Sequence, residues 1–272
     1  MSTQLPNDQT QMMAPSLAPG SSVRSRGRNV LAVASGKGGV GKTWFSITLA
    51  HALALRGRKT LLFDGDLGLA NVDIQLGLMP QLDLGSVVTG KVTLTQACSH
   101  YERGGFDVIA GRSGSGSLAN IPLSRLQLMA EDLSMMATAY HKVIIDLGAG
   151  VEKSVRQLAR AAGTILVVTS DEPTSLTDAY AFIKVTALER PGADIRVVVN
   201  AANSTREGER TYATLRKACE GFLKFSPPLV GIVRRDMRVR EAIRNQTPIL
   251  IRSPNAEAAM DVETIADKLL AE

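Results

Sequence analysis

The sequence predicts an α/β fold, an open, mostly parallel twisted sheet with helices on both faces. Three observations lead to it. Short runs rich in Val, Ile and Leu, with little polar alternation, have the composition of strands buried on both faces of a parallel sheet. Segments of helical periodicity lie between these runs, and strand–helix–strand repetition implies right-handed crossovers that cover both faces. A glycine-rich turn, Gly36–Thr43 with the sequence GKGGVGKT, follows the first run and opens a helix.

Along the chain, residues 1–28 read as a separate N-terminal tail, and the folded domain is expected over 29–272. The tail carries Pro6, Pro15 and Pro19, many Ser, Gln and Asn, and then Arg24, Arg26 and Arg28. It holds too little apolar surface to offset the entropy of ordering. The strand candidates are Val30–Ala34, Thr60–Phe63, Val108–Ala110, Val143–Ile145, Thr164–Val168, Ile195–Val199 and Leu229–Val233. Gly111–Ser117 (GRSGSGS) reads as a loop at a strand end. Leu176, Ala179, Tyr180 and Ile183 fall at i, i+3, i+4 and i+7, and Val262, Ile265, Ala266 and Leu269 repeat that spacing. Both sets predict amphipathic helices.

The chain has 272 residues, 44% of them apolar and 21% charged, enough for one large α/β domain and unlike a disordered or fibrous chain. Its two cysteines, Cys98 and Cys219, stand alone, which excludes a disulfide framework and a CxxC zinc or redox site. Reduced thiols make the cytoplasm the expected location. No apolar run approaches the roughly 18–20 residues of a membrane span, and no apolar core follows a basic start as in a secretory signal. The formal net charge of +5 permits contact with nucleic acid or anionic lipid without requiring it.

Gly36–Thr43 satisfies G-x-x-x-x-G-K-[ST] in the required strand-to-helix context. Glycines let successive backbone N–H groups turn inward around phosphate oxygens, and the helix N-terminus adds partial positive charge at the same point. Lys42 is expected to bridge β- and γ-phosphates and the Thr43 hydroxyl to ligate Mg²⁺. Gly36, Lys37, Gly38, Gly39, Val40, Gly41, Lys42 and Thr43 are therefore the expected cofactor-binding loop of a P-loop NTPase. A nucleotide carrying β- and γ-phosphates, with Mg²⁺, is the expected cofactor pair. Two acids, Asp64 and Asp66, end the second strand candidate in FDGDLGLANVD (63–73), where residues at i and i+2 point the same way toward the carboxyl edge of the sheet. Asn71 and Asp73 read as turn formers. Asp146 ends a buried run in KVIIDLGAG (142–150), the place of a Walker B acid that holds the water shell of Mg²⁺.

Lys37, directly after the first glycine, makes the loop the deviant, signature-lysine form, and from about Asn29 onward the chain resembles the MinD/ParA class of P-loop ATPases. Three stretches, DGDLGLANVDIQLGL (64–78), SDEPTSLTDAYAFIKV (170–185) and VRRDMRVREAIRNQTPIL (233–250), are most similar to its flagellar number regulators of the FlhG (FleN) type. The resemblance implies an ATP-dependent homodimerisation switch with slow Mg²⁺-dependent hydrolysis, in which Lys37 reaches the partner's phosphates. It implies that Asp66 orients the attacking water or supports Mg²⁺ indirectly, with Asp64 as supporting acid, and that Gly148 and Gly150 let a switch segment move. Asn200 is expected at the base edge and Asp236 in a loop near it. Thr174 is expected to cap the helix that starts there. Implied partners are an FlhF-type GTPase, for which Asp8-Gln9-Thr10 is a partial motif match, a flagellar transcription regulator or a basal-body protein. Implied locations beyond the cytoplasm are the cell pole or the inner membrane face. Leu147, where similar proteins carry Thr, Arg234, where they carry Pro, and the bulky Trp44 depart from the family's pattern.

Two other classes stay open at this stage. Arg234, Arg235, Arg238 and Arg240 put four arginines in seven residues, as a ParA-like non-specific DNA binder would need, and a solvated or dimer-edge face reads equally well. A nucleotide-binding scaffold without turnover is the other. An iron–sulfur carrier is disfavoured by the unpaired cysteines, and His51, His100 and His141 show no metal spacing. Glu257, Asp261, Glu263, Asp267 and Glu272 against Lys268 alone give the last segment an acidic face that anionic lipid repels, so its apolar stripe is expected to pack on the sheet.

Overall fold

The computed structural model describes residues 27–111 and 121–271. The partial motif at Asp8-Gln9-Thr10, the tail arginines Arg24 and Arg26, and most of the Gly111–Ser117 loop lie outside the described residues.

The strands are β1 (Val30–Ser35), β2 (Thr60–Gly65), β3 (Ser99–Tyr101), β4 (Phe106–Ile109), β5 (Lys142–Ala149), β6 (Thr164–Thr169), β7 (Asp194–Ala202) and β8 (Leu229–Arg234). They form one sheet in the order β3-β4-β2-β5-β1-β6-β7-β8. Every neighbouring pair runs parallel except β3 against β4. Each expected apolar run forms a strand. The unexpected β3 is the three-residue segment SHY with two exposed side chains, so no apolar run announces it, and its pairing with β4 defines it.

The helices are α1 (Lys42–Leu55), α2 (Val72–Leu76), α3 (Leu84–Val88), α4 (Leu94–Ala97), α5 (Leu123–Met136), α6 (Lys153–Ala159), α7 (Pro173–Glu189), α8 (Thr205–Leu223), α9 (Met237–Arg244), α10 (Ile249–Arg252) and α11 (Glu257–Ala271). Alternation along the buried strands builds two cores. Val30, Ala32, Ala34, Phe63, Val143 and Ile145 face one way and pack with α5, α6, α7 and α8. Leu31, Val33, Leu62, Ile144 and Val198 face the other way and pack with α1, α9, α10 and α11. The period of two along each strand thus supplies both faces from continuous apolar runs.

The apolar stripe of α11 does pack on the sheet: Ala258, Ala259, Val262, Ile265, Ala266 and Leu269 are buried beside β8 and α1. Its acids meet arginines. Arg56 pairs with Asp267 and Glu263, and Arg234 pairs with Glu257 at 2.6 Å and Asp261 at 2.8 Å. No helix among the described residues is long and apolar enough to cross a membrane.

β1 lies at the centre, between β5 and β6. The chain leaves it through α1 toward β2 on the β5 side and later returns through α6 to β6 on the other side. Strand order therefore diverges around β1, and the crevice at the carboxyl ends of β1, β2 and β5 is where open α/β sheets bind ligands.

Candidate functional site

The glycine loop joins Ser35 at the end of β1 to Lys42 at the start of α1. Gly39 (φ 82°) and Gly41 (φ 91°) hold left-handed backbone, and Gly41 caps α1 without any side-chain hydrogen bond. The first N–H groups of α1 are thus left for an external acceptor. Space matters as well as conformation. A Cβ on Gly41 would fall 2.4 Å from Asn200 Nδ2, and one on Gly36 would fall 2.0 Å from the Asp178 backbone in α7.

Behind the loop lie the acids. Asp64 and Asp146 are register partners on β2 and β5, each 1% exposed. Asp146 Oδ1 accepts a hydrogen bond from Ser46 Oγ at 2.9 Å, while its Oδ2 is buried without a partner. Burial pushes the Asp146 carboxyl up to about 6 against the hydrogen bonds from Thr43 and Ser46 and the charge of Lys42. Burial, then the neighbouring charge of Asp146, pushes Asp64 up to about 8. Asp64 accepts from the N–H groups of Asp66 (3.2 Å) and Val72 (3.3 Å), so it ties the following loop to the end of β2. Asp66 Oδ1 accepts from the N–H of Leu69 at 2.9 Å and lies where a Cβ on Gly148 would come within 3.3 Å. Lys42 is buried, which lowers its pKa, and the charges of Asp146 and Asp66 oppose that shift.

Two cavities flank the loop. One, of about 640 Å³, is lined by Gly38, Gly39, Gly41, Lys42, Thr43, Asp66 and Gly148, among others. The second, of about 540 Å³, shares Gly38, Gly39, Gly41 and Trp44 and continues along Glu172, Asn200, Arg235, Asp236 and Arg240. Both volumes lie in the range of small-molecule sites. Asp64 and Asp146 line neither; they lie beneath the loop. Trp44, the single tryptophan, walls both cavities, is 5% exposed, and has an indole N–H without a partner.

The residues expected near the base sit on the second cavity. Asn200 is buried at the end of β7, where its Nδ2 donates to the Val40 carbonyl at 2.7 Å. The next residue, Ala201, has φ 55°, in the left-handed region that L side chains seldom adopt. Asp236 caps α9 by accepting from the Arg238 N–H at 2.9 Å, and its pairing with the Arg238 guanidinium holds its carboxyl below the usual range.

One sequence expectation needs correction. Thr174 does not cap α7; Glu172 occupies the cap position without a side-chain cap bond, and Thr174 Oγ1 accepts from Lys37 Nζ at 2.8 Å. Within the arginine cluster, Arg234 is engaged by Asp261 and Glu257 and Arg238 by Asp236. Sequence reasoning also missed three residues. Glu172, with Thr174, holds Lys37. Ser175, whose hydroxyl accepts from the Ser170 N–H at 3.0 Å, ties α7 to the end of β6. Ser46 touches Asp146, and its signal was its position one turn after Lys42 on the same helix face.

A nucleotide with Mg²⁺ fits these residues. The open N–H groups of the glycine loop suit phosphate oxygens, and the orphaned Asp146 Oδ2 is a buried anionic acceptor awaiting a donor or a cation's water shell. No group of three or more His, Cys, Asp or Glu among the described residues is arranged to hold a metal directly. Mg²⁺, which keeps several waters and shares its ligands with phosphates, does not need such a cage.

Comparison with known proteins agrees with this geometry. Residues 31–249 match the CobQ/CobB/MinD/ParA nucleotide binding domain. The antiactivator FleN of Pseudomonas aeruginosa is 37% identical over 240 residues, 88% of this chain and 85% of FleN. The flagellum site-determining protein YlxH of Helicobacter pylori is 27% identical over 241 residues, 88% of this chain and 81% of YlxH. The cell division ATPase MinD of Pyrococcus furiosus superposes with a TM-score of 0.77 at 25% identity, covering 90% of this chain and 99% of that one. MinD of Pyrococcus horikoshii, complexed with Mg-ADP, superposes with a TM-score of 0.76 at 23% identity, covering 90% and 97%. With the family model matched over residues 31–249 and 37% identity to FleN over 88% of its length, the chain belongs to the MinD/ParA family of nucleotide-binding P-loop proteins.

Proposed function

We propose that the protein is an ATP-dependent dimerisation switch, a slow Mg²⁺-dependent ATPase that regulates flagellar number or placement as an FlhG (FleN)-type protein. The observation that carries this reading is the convergence of Lys42, Asp66 and the buried Asp146 behind a strand-end glycine loop, with Lys37 held away on Glu172. The similarity to FleN and YlxH supports the flagellar assignment.

In this mechanism the loop N–H groups and Lys42 hold the β- and γ-phosphates, and Asp66 orients the attacking water. When bound, Mg²⁺ neutralises developing phosphate charge; Thr43 would hold it directly, and Asp66 and Asp146 through water. Lys37 supplies its charge to a second subunit's phosphates, so charge stabilisation arrives only on assembly, as with an arginine finger. Gly148 and Gly150 let the segment after β5 move with the γ-phosphate. At the base, one Asn200 amide hydrogen goes to the Val40 carbonyl, and the side-chain oxygen serves as an acceptor for the amino group of adenine. Asp236 shapes that loop by capping α9.

The homodimer is the primary partner, and an FlhF-type GTPase, a flagellar transcription regulator or a basal-body protein would read it in the cytoplasm, at the pole or at the membrane face. A ParA-like DNA-binding role has less support, since Arg234 and Arg238 are already engaged by carboxylates. ATP turnover and sedimentation of wild type, Lys37→Ala and Asp66→Ala test the reading. Asp66→Ala is expected to accumulate an ATP-bound dimer without turnover, and Lys37→Ala to stay monomeric. Normal hydrolysis by Asp66→Ala, with no dimer on ATP addition, overturns it.

A further inference from the structure

We propose that Ser46 is a positioning residue for Asp146: its hydroxyl fixes the carboxylate so that one oxygen stays committed to the protein and the other serves Mg²⁺ through water. The proposal rests on the role given to Asp146 above. Ser46 is completely buried, and its Oγ donates to Asp146 Oδ1 at 2.9 Å, across 100 residues of sequence. The other oxygen, Oδ2, has no partner in the protein. The carboxylate is therefore held at one end only, and the free end is the one left for a ligand.

Helix geometry explains why a serine can do this. Lys42 and Ser46 stand four apart on α1, with Thr43 between, so one helix face presents an ammonium and two hydroxyls to the end of β5. Thr43, like Ser46, favours the charged form of the Asp146 carboxyl. The two hydroxyls differ in depth and in duty. Thr43 lines the cavity and would face the cation with its oxygen, so its duty is divided between ligand and protein. Ser46 is sealed from the cavity, so its bond to Oδ1 persists in both states. It is then the hydroxyl given over wholly to keeping the carboxylate plane oriented while Mg²⁺ is bound. Groups behind a ligating carboxylate commonly tune metal affinity in this way.

Calorimetric titration of ADP into the full chain at a series of Mg²⁺ concentrations tests the idea without turnover. Ser46→Ala is expected to raise the Mg²⁺ concentration for half-maximal enhancement of ADP binding about tenfold, the lower end of what outer-shell partners contribute. ADP affinity in EDTA should stay within about twofold of wild type, since the hydroxyl touches no phosphate. Ser46→Cys, with a weaker donor, should fall between, and it replaces the alanine variant if thermal melts show that the latter does not fold. A Mg²⁺ midpoint within twofold of wild type overturns the proposal, as does an equal loss of ADP affinity with and without Mg²⁺, which would make Ser46 a core residue only. Asp146→Asn in the same titration separates the two levels. If it leaves the Mg²⁺ midpoint unchanged, the role of Asp146 fails; if it shifts the midpoint and Ser46→Ala does not, only the positioning role fails.

Discussion

The Lys37 ammonium donates to the Glu172 carboxylate at 2.5 Å, joining the glycine loop to the first turn of α7 across 135 residues of sequence. Thr174 accepts from the same ammonium at 2.8 Å. The lysine that would act on a second subunit thus has a seat in its own, and Lys37 in turn holds the Glu172 carboxyl below its ordinary range. In the proposed dimer, assembly would exchange one anionic partner for another, so the seat would oppose it. Glu172→Gln should lower the ATP concentration for half-maximal dimerisation about two- to fivefold, the scale of an exposed ion pair, with the difference fading at high salt. Sedimentation against ATP at two ionic strengths checks this; an unchanged or raised threshold would show that Glu172 does not restrain Lys37.

Asn200 gives a prediction about the base. One hydrogen of its amide is committed to Val40, and its oxygen is left to accept from the amino group of adenine, where guanine presents a carbonyl. Asn200→Ala should lower ATP affinity about tenfold and narrow the preference for ATP over GTP. Competition binding with the two nucleotides measures both. Equal losses for ATP and GTP would mean that Asn200 only braces the loop.

The reach of sequence reasoning followed the range of the interactions. β1, β5 and β6 are legible because burial on both faces demands continuous apolar runs, and the glycine loop because phosphate binding constrains consecutive residues. β3 is illegible because two of its three side chains are exposed and only pairing with β4 defines it. Thr174 misled because a local capping preference competed with Lys37, a partner 137 residues away. The partners of the arginine cluster were hidden for the same reason: the carboxylates that occupy Arg234 lie on α11, 23 and 27 residues further along. Local chemistry could be read, whereas partners chosen by the tertiary fold could not.

Arg234 leads to a stability prediction. Its guanidinium bonds both oxygens of Asp261 and one of Glu257, while its backbone N–H also donates to Asp261, so it fastens the end of β8 to the first turns of α11. Arg234→Ala should destabilise the fold by about 1 kcal/mol, because a bidentate pair exceeds an ordinary surface bridge but remains partly solvated. Urea denaturation reads the loss. Binding to DNA should be weak and flat from low to high salt in both wild type and variant, since this arginine is already neutralised. A steep salt dependence in wild type that Arg234→Ala reduces would restore the DNA-binding reading.

His51 makes the acid limb of stability predictable. It lies on the buried side of α1 with its ring 6.3 Å from that of Phe106, its Nδ1 has no partner, and burial lowers its pKa to about 4. The unfolded chain takes up a proton on this group below about pH 6.5, and the folded chain only below about pH 4. The unfolded state binds more protons between those values, so stability contributed by neutral His51 is lost as pH falls from about 6.5 to about 4, by up to about 3 kcal/mol. Asp64 and Asp146 work in the opposite direction, because their raised pKa values favour the folded state as pH falls, but they are common to wild type and variant. His51→Leu keeps an apolar side chain in the site and removes the titration. The stability difference between variant and wild type should therefore grow toward acid and level off below about pH 4. Urea midpoints at half-unit steps from pH 7.5 to 4 give the curve. A difference that does not change with pH would mean that His51 can be protonated in place, with water reaching Nδ1 inside the α1 core.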